Sequence, residues 1–247
     1  MITQEDELNE DAEPSLLTTS ELDETRFPEL RDLVLASEAE PTEIECRSYP
    51  GYPRFPLPRL RRRFRPSLDR ALVERRSQQC LSLDFPDATT LSRLLRFAHG
   101  AIASHRRGPV PSAGGLQALE LYFASWQPSW LPVGIYHYDR VGHYLSQINQ
   151  SCDAEKWKVN IPSCRRLTGG ALIWIIVGET LRVKAKYGLR GERFLLLEAG
   201  HLMQNLCLLS SSLGLVTVPQ GTFYERWIAK ELLLPRSDAV LYVAFAG

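Results

Sequence analysis

The chain has 247 residues, 44% of them hydrophobic, so it can bury a sizeable core, and a wholly disordered chain is excluded. Its 29 basic and 29 acidic residues cancel, which removes the charge argument for a nucleic-acid or membrane-surface partner. Apolar runs such as residues 171–177 are far shorter than the roughly 20 residues that span a bilayer, and the first residues lack a secretory signal pattern. We therefore expect a soluble, cytoplasmic protein without a membrane or nucleic-acid partner.

Charge is distributed unevenly over the first 66 residues. Acidic residues dominate between Glu5 and Glu24, and this composition predicts a flexible acidic arm over residues 1–45. Proline and arginine then alternate, and proline at this density favours an extended strap over residues 46–66. The five cysteines form no Cys-x-x-Cys pair and the histidines no helical pair, so no metal site is predicted.

From Ser67 onward, apolar spacing predicts both helices and strands. The first two predicted elements are a short helix from Leu68 that ends at Arg75–Ser77 and a helix that is capped by Asp87 and reaches Ile102. A strand over 116–124, a hairpin over 134–145 with its turn at 140–142, and a buried strand over 171–177 follow. The last predicted elements are a long apolar helix over 190–213, which Gly214 ends, and strands over 215–218 and 240–245. Because helices and strands do not alternate in regular units, the predicted class is α+β. The long helix is apolar around much of its surface, so we expect it at the centre or at a subunit contact.

Two polar clusters precede the long helix. Arg75, Arg76 and Ser77 offer charge-assisted donors for a phosphate or for ring oxygens; the alternative is a basic helix end that satisfies its own carbonyls. Residues 106–115, Arg-Arg-Gly-Pro-Val-Pro-Ser-Ala-Gly-Gly, let the backbone approach a flat ligand closely; the alternative is an ordinary turn before a strand.

A third cluster covers residues 186–193 and continues into the long helix. There Glu198, His201 and Asn205 recur at three- and four-residue spacing, so they are predicted to share one face. A polar stripe on such a helix needs partners if it is buried. The alternative for His201 is a satisfied core histidine.

The order of these clusters resembles the nitroreductase superfamily. Arg-Arg-Ser is followed by Pro-Ser-Ala-Gly-Gly at 111–115, Tyr-His-Tyr-Asp at 136–139, Lys-Tyr-Gly-x-Arg-Gly-x-Arg at 186–193, Leu-Glu-Ala-Gly-His at 197–201 and Gln-Asn at 204–205. Within that superfamily the chain resembles the SagB-type dehydrogenases, flavin-dependent azoline oxidases that help make thiazole- and oxazole-modified peptides. The resemblance covers residues 67–247.

The resemblance implies a nitroreductase-like α+β fold, with a central mixed sheet flanked by helices, that binds FMN at the interface of an intertwined homodimer. The resemblance implies that Arg75, Arg76 and Ser77 contact the phosphate, the ribityl chain or the pyrimidine edge of FMN, and that Gln79 stands where a cation would offset charge on the reduced flavin. It also implies that Gln220 and Gly221 lie near N5. The residues implied to lie against the flavin of the other subunit are Pro111, Ser112, Ala113 and Gly114.

The implied reaction is dehydrogenation of thiazoline or oxazoline rings in a ribosomally made peptide, with the hydride going to flavin N5 and the proton to Lys186 and Tyr187. Their ordinary pKa values, about 10.4 and 10, are high for a base near neutral pH, so Arg190 and Arg193 are expected to stabilise a phenolate or a neutral amine. His201 and Asn205 are expected near the substrate or behind the residues that contact it. The implied partners are the modified precursor peptide and a cyclodehydratase.

Two alternatives stay open. One is a general NAD(P)H-dependent flavin reductase of the nitroreductase type. The other is a flavin-free scaffold of the same fold, suggested by Gln79 and by Gln220-Gly221, which depart from the family pattern.

Overall fold

The computed structural model describes residues 46–60, 67–101 and 107–247. The acidic arm expected over residues 1–45 therefore lies outside the described residues, as do the end of the strap and Ile102. The strands are β1 (Arg54–Pro56), β2 (Leu119–Ser125), β3 (Gly134–Asp139), β4 (Tyr144–Asn149), β5 (Leu172–Glu179), β6 (Thr217–Gln220) and β7 (Asp238–Ala246). The helices are α1 (Leu68–Glu74), α2 (Ala88–Ala98), α3 (Ala154–Val159), α4 (Thr180–Tyr187), α5 (Arg190–Ser212) and α6 (Glu225–Glu231).

The strands form a seven-stranded sheet in the order β1-β4-β3-β2-β5-β7-β6. Every neighbouring pair is antiparallel, which confirms an α+β fold around a central sheet but corrects the expected mixed sheet. The reason lies in the connections, because hairpins such as β3–β4 reverse the chain, whereas parallel neighbours need a crossover. A parallel contact does occur between Cys80 and Thr168, outside the strands.

Both faces of the sheet are covered. Trp174 and Ile176 of β5 pack toward α5, in the same core as Leu202. Ile173 and Ile175 point the other way, into a second core that contains residues of α3 and α6. A strand that is buried on both faces has a continuous run of apolar residues, so the sequence of β5 shows no alternation of polar and apolar residues.

Two helix ends behave as predicted. The Asp87 carboxylate accepts hydrogen bonds from the backbone of Thr89 at 2.8 Å and Thr90 at 3.0 Å, so it caps α2 and its pKa is lowered. At the far end of α5, Gly214 has a φ of 77°, the left-handed conformation that ends many helices.

Four short elements were not predicted: β1, α3, α4 and α6. Helix α4 carries the Lys186–Tyr187 pair, and its sequence is too short and polar to show a clear helical period; Val183 is its buried residue. Within the strap, β1 pairs with β4 at the sheet edge, where a strand tolerates Pro56.

A network of charged residues ties the segment before β1 to the middle of the sheet. Arg47 donates hydrogen bonds to the Glu179 carboxylate at 3.0 Å and to the Tyr122 hydroxyl at 3.2 Å, and it pairs with Asp238. These partners lie on β5, β2 and β7. One guanidinium therefore joins three strands.

Arg47→Met is expected to lower the free energy of unfolding by about 3 kcal/mol, because it leaves the largely buried Asp238 carboxylate without its cation, whereas Glu179 keeps its ion pair with Arg182 at 2.7 Å. The measurement is chemical denaturation followed by tryptophan fluorescence. Arg70→Met is the matched control: its ion pair with Glu74 on α1 is exposed, so the change should stay below about 1 kcal/mol. Equal losses of unfolding free energy in the two variants would show that Arg47 stabilises the protein no more than an exposed ion pair does.

Candidate functional site

A cavity of about 200 Å³ lies where the C-terminal end of α5 meets the segment after α1. It is lined by Glu74, Arg75, Arg76, Gln78, Cys207, Ser211 and residues 214–217. Glu74 pairs with Arg70 at 2.8 Å, whereas neither Arg75 nor Arg76 pairs with a carboxylate in the described part of the chain. Two guanidiniums that lack a carboxylate suit a phosphate. The residues present therefore fit the phosphate end of FMN.

The other residues expected at the flavin edge lie near this cavity in sequence. Ser77 and Gln79 are exposed, and the Gln79 carbonyl accepts a hydrogen bond from the Thr168 backbone at 2.8 Å. Gln220 ends β6, where its buried side chain donates to the Val218 carbonyl at 3.3 Å. No described atom lies within 4 Å of the position that a Cβ would take at Gly221, so its backbone is open to a ligand.

A tight turn over residues 111–115 forms the second part of the site. Gly115 donates from its backbone to the Ser112 carbonyl at 3.0 Å, and Gly114 and Gly115 both adopt the left-handed region, with φ of 57° and 67°. A Cβ at Gly114 would lie closer than 3.0 Å to both the Tyr187 hydroxyl and the Lys186 ammonium nitrogen. The polar ends of these two side chains thus converge on one glycine, and the turn and the pair meet within one chain.

Lys186 and Tyr187 are the last two residues of α4. The Tyr187 ring packs edge to face against Phe194, with centroids 5.0 Å apart. Burial raises the pKa of Tyr187, the direction opposite to the phenolate stabilisation expected from Arg190 and Arg193. Arg193 is exposed, where solvent screens its charge, and the role of Arg190 and Arg193 beside the pair stays a prediction.

Glu198 faces the same turn from α5. Its residue is 5% exposed, and burial, the largest influence, raises its pKa to about 7 against the lowering effects of the Ser112 side chain, Arg140 and the Ala113 backbone. The Ser112 hydroxyl oxygen accepts a hydrogen bond from the Gln117 backbone at 2.8 Å. A carboxyl that titrates near neutral pH therefore lies behind the turn.

The predicted polar stripe on α5 is split. Glu198 is buried, and Asn205 donates to the Ala98 carbonyl at 3.4 Å, so both face the domain. His201 is exposed, which corrects both the shared face and the core-histidine alternative. At about 100° per residue, position 205 returns to within about 20° of position 198, whereas position 201 lies about 60° away.

Arg140 and Gln117 are residues of this region that the sequence did not single out. Arg140 is 1% exposed; it donates to the His99 carbonyl at 3.2 Å and to the Gln117 side chain, which also accepts from the Gly108 backbone at 3.1 Å. The sequence predicts Arg140 only as a hairpin turn residue, because its partner Gln117 lies 23 residues away and local spacing carries no information on such a contact. Arg107 lies on the far side of the turn and lines an adjoining cavity of about 410 Å³.

The two parts of the site are separated along α5. Glu198 interacts with the turn, whereas Ser211 lines the cavity with Arg75. Glu198 and Ser211 are 13 positions apart, which corresponds to about 20 Å at 1.5 Å per residue. The Arg75 cavity and the turn over residues 111–115 therefore meet α5 at different positions along its length.

In the described residues, no helix combines the length and apolar character needed to cross a membrane. The His, Cys, Asp and Glu side chains of the same residues form no group of three that could hold a metal ion. All five cysteines are free, and burial raises the pKa of Cys207 beside the Arg75 cavity to about 11.

Two curated proteins resemble this chain in sequence. A protein of Methanocaldococcus jannaschii described as a nitroreductase is 30% identical over 174 residues, which cover 70% of this chain and 88% of that protein. The microcin B17-processing protein McbC of Escherichia coli is 28% identical over 159 residues, which cover 57% of this chain and 54% of McbC.

Solved structures share the fold. A nitroreductase structure from Ralstonia eutropha superposes with a TM-score of 0.68 at 23% identity, covering 78% of this chain and 88% of that chain. A chain of the Escherichia coli microcin synthetase McbBCD complex, with truncated pro-MccB17 bound, superposes with a TM-score of 0.59 at 19% identity, covering 95% and 97%. The model of the nitroreductase family matches residues 72–247, most of the chain. The protein is therefore a member of the nitroreductase family.

Proposed function

We propose that this protein is an FMN-dependent dehydrogenase that oxidises thiazoline or oxazoline rings in a ribosomally made peptide. The observation that carries the proposal is the convergence of the Lys186 nitrogen and the Tyr187 hydroxyl on Gly114. Similarity to McbC, a protein named for processing microcin B17, supports a peptide substrate. The likeness to a chain of the McbBCD complex, solved with truncated pro-MccB17 bound, supports the fold, and a cyclodehydratase partner is part of the proposal.

Residues of both parts of the site would hold FMN. Arg75 and Arg76 would bind its phosphate, and the turn over residues 111–114 and the open backbone at Gly221 would lie against its ring. Members of the family usually bind this cofactor, and when bound it supplies the two-electron acceptor for a dehydrogenation. Left-handed glycines in the turn allow the close backbone approach that a flat ring requires.

A homodimer would complete the site. Because the two parts lie about 20 Å apart along α5, a second copy placed antiparallel on this helix would bring the turn of one chain to the cavity of the other. The outer face of α5 supports this arrangement, since it exposes Arg193, Leu197, Gly200, His201 and Gln204. Leu197 is 55% exposed, and Gly200 has no side chain to keep a second helix away.

Lys186 and Tyr187 would handle the proton of the reaction. Aromatising an azoline ring removes a proton from one ring carbon and a hydride from its neighbour. Because burial raises its pKa, Tyr187 stays a phenol at neutral pH and can donate a hydrogen bond to the ring heteroatom. The proton would then go to the Lys186 nitrogen, which must be a neutral amine when it accepts, because an ammonium group has no lone pair.

Replacing the pair tests this function directly. The double variant Lys186→Met, Tyr187→Phe should lose at least about 10³-fold in azoline turnover, measured by mass spectrometry as loss of two hydrogens, while its visible flavin spectrum is retained. Lys184→Met, on the same helix, is the matched control and should keep full turnover, because Lys184 pairs with Glu192 instead.

Three outcomes would redirect the assignment. Full turnover in the double variant would eliminate the pair as the proton acceptor. Flavin bleached rapidly by NADPH, with no response to an azoline peptide, would indicate a general nitroreductase-type reductase, which the Methanocaldococcus relative also favours. A colourless protein that FMN cannot reconstitute would indicate a scaffold.

Gly114→Ala should reduce turnover at least about tenfold more than Gly115→Ala. Both variants place a side chain in the left-handed region, at a cost of about 1–2 kcal/mol, so their losses of thermal stability should match. Only the Cβ at position 114 displaces Lys186 and Tyr187; at position 115 the nearest atom, on Arg107, is 3.8 Å away. Equal turnover in the two variants would show that the pair does not act where the turn holds it.

Leu197→Lys should convert the dimer to a monomer and weaken FMN binding at least about tenfold, because it places a charge on the outer face of α5. Light scattering and flavin titration measure the two effects. Val159→Lys is the control: Val159 is 71% exposed, but it lies on α3, across the sheet from α5. A flavin-loaded wild-type monomer would rule out a site shared between subunits.

A further inference from the structure

We propose that Arg182 is a positioning residue that holds α4 at a fixed distance from the turn over residues 111–115. Through this contact it keeps Lys186 and Tyr187 next to Gly114. Arg182 lies in the first turn of α4, and the pair are the last two residues of the same helix. The inference rests on the proposed function, because it concerns how the proposed proton-handling pair is kept in place.

The Arg182 guanidinium contacts two different parts of the chain. Its Nη1 donates to the Gln117 backbone carbonyl at 3.4 Å, and its Nη2 pairs with the Glu179 carboxylate at 2.7 Å. Gln117 precedes β2, and Glu179 is the last residue of β5. The Arg182 side chain is 24% exposed, so both contacts are largely shielded from water. The rigid fork of a guanidinium holds two acceptors at once, whereas a lysine ammonium is a single point charge.

Gln117 connects this contact to the turn. Its backbone N–H donates to the Ser112 hydroxyl oxygen at 2.8 Å, while its carbonyl accepts from Arg182. Gln117 has a left-handed φ of 52°, unusual for a residue with a side chain, and its side-chain oxygen accepts from the Gly108 backbone at 3.1 Å. One buried and restrained residue therefore bonds the turn through its N–H and α4 through its carbonyl.

The turn and α4 thus approach each other at two levels. Gln117 meets Arg182 at the first level, and Gly114 meets Lys186 at the second. Residues four positions apart on a helix share one face and are about 6 Å apart along its axis, so Lys186 extends from the same side of α4 as Arg182. A Cβ at Gly114 would lie closer than 3.0 Å to the Lys186 nitrogen, so a small shift of α4 changes this approach.

Another side of α4 is held by α5. A Cβ at Gly191 would lie 2.9 Å from the Val183 backbone carbonyl carbon, so the two helices approach closely there. Lys184 pairs with Glu192 across the same junction. These contacts hold α4 against α5, whereas the Arg182 bond holds it toward the turn. We therefore expect α4 to stay folded when that bond is lost, but to shift relative to the turn.

Arg182→Lys is the test, and Arg47→Lys is its matched control. Both arginines contact the Glu179 carboxylate, at 2.7 Å and 3.0 Å, but among the described contacts the bond to Gln117 comes from Arg182. Arg182→Lys should lower kcat for azoline turnover about tenfold and change KM less than about twofold, because a small misplacement of reacting groups slows the chemical step. Arg47→Lys should keep kcat within about twofold of wild type, whatever its melting temperature.

Hydrogen exchange followed by mass spectrometry gives a readout without substrate. In Arg182→Lys the amides of residues 111–118 should exchange at least about tenfold faster than in wild type, because Gln117 is released on one side. The amides of β5 should keep their wild-type rate, since a general loss of stability would speed their exchange as well. Arg47→Lys should leave residues 111–118 at the wild-type rate.

A double-variant comparison shows whether Arg182 acts through the turn. Adding Arg182→Lys to Gly114→Ala should change kcat less than about twofold, because the pair is already displaced there. Adding it to Gly115→Ala should lower kcat by the full tenfold. Equal effects in the two backgrounds would show that Arg182 does not act through the approach at Gly114.

Two results would overturn the proposal outright. Wild-type kcat in Arg182→Lys would show that the bond to Gln117 is not needed, and an equal loss in Arg47→Lys would show that charge beside Glu179 is what matters. If Arg182→Lys does not fold, nitrogen NMR of the wild type decides. A guanidinium held by two acceptors gives separate Nη signals, and one averaged Arg182 signal would contradict the double contact.

The two proposals fail separately. No azoline turnover in wild type, together with faster exchange confined to residues 111–118 in Arg182→Lys, would end the proposed function and leave Arg182 as the residue that holds α4 to the turn. Azoline turnover in wild type, with unchanged exchange in Arg182→Lys, would do the reverse.

Discussion

The structure depends on the burial of one face of α5 against the sheet. Leu195, Leu202 and Leu206 lie in the core beside β5, and this packing fixes the rotation of the helix about its axis. Once the rotation is fixed, Glu198 must face the turn over residues 112–115 and Leu197 must face outward. A rotation by one residue, about 100°, would bury the wrong side chains and remove the carboxyl from the turn.

The same packing explains why the site has two parts. The turn meets the N-terminal half of α5, and the Arg75 cavity meets its C-terminal end. The helix holds the two parts at different positions along its length. The proposed dimer rests on this separation and on the outer face of α5, which exposes the apolar side chain of Leu197 among polar residues.

The opposite face of the sheet has a different role. There Glu120 and His137 pair at 2.7 Å in full burial, and Arg47 joins three strands. These contacts hold the segment before β1 on the sheet. The charged residues on this face therefore stabilise the framework, whereas those beside α5 line the candidate site.

Local signals were sufficient for much of this fold. The Asp87 cap, the β3–β4 hairpin, the buried β5 run and the stop at Gly214 each depend on neighbours in the chain, and each was predicted. Membership of the nitroreductase family was also predicted, because the order of the short motifs along the chain can be recognised without knowing any tertiary contact.

Tertiary structure decided what those motifs do to one another. The sequence placed Glu198, His201 and Asn205 on one stripe, yet the packing of α5 buried the first and exposed the second. The resemblance also implied that either a Tyr187 phenolate or a Lys186 neutral amine is stabilised, whereas burial raises the pKa of Tyr187 and so favours its phenol form. Helix periodicity and turn chemistry are properties of adjacent residues, so the chain determines them alone; burial and the facing of charges depend on residues far apart in sequence, which only the folded protein brings together.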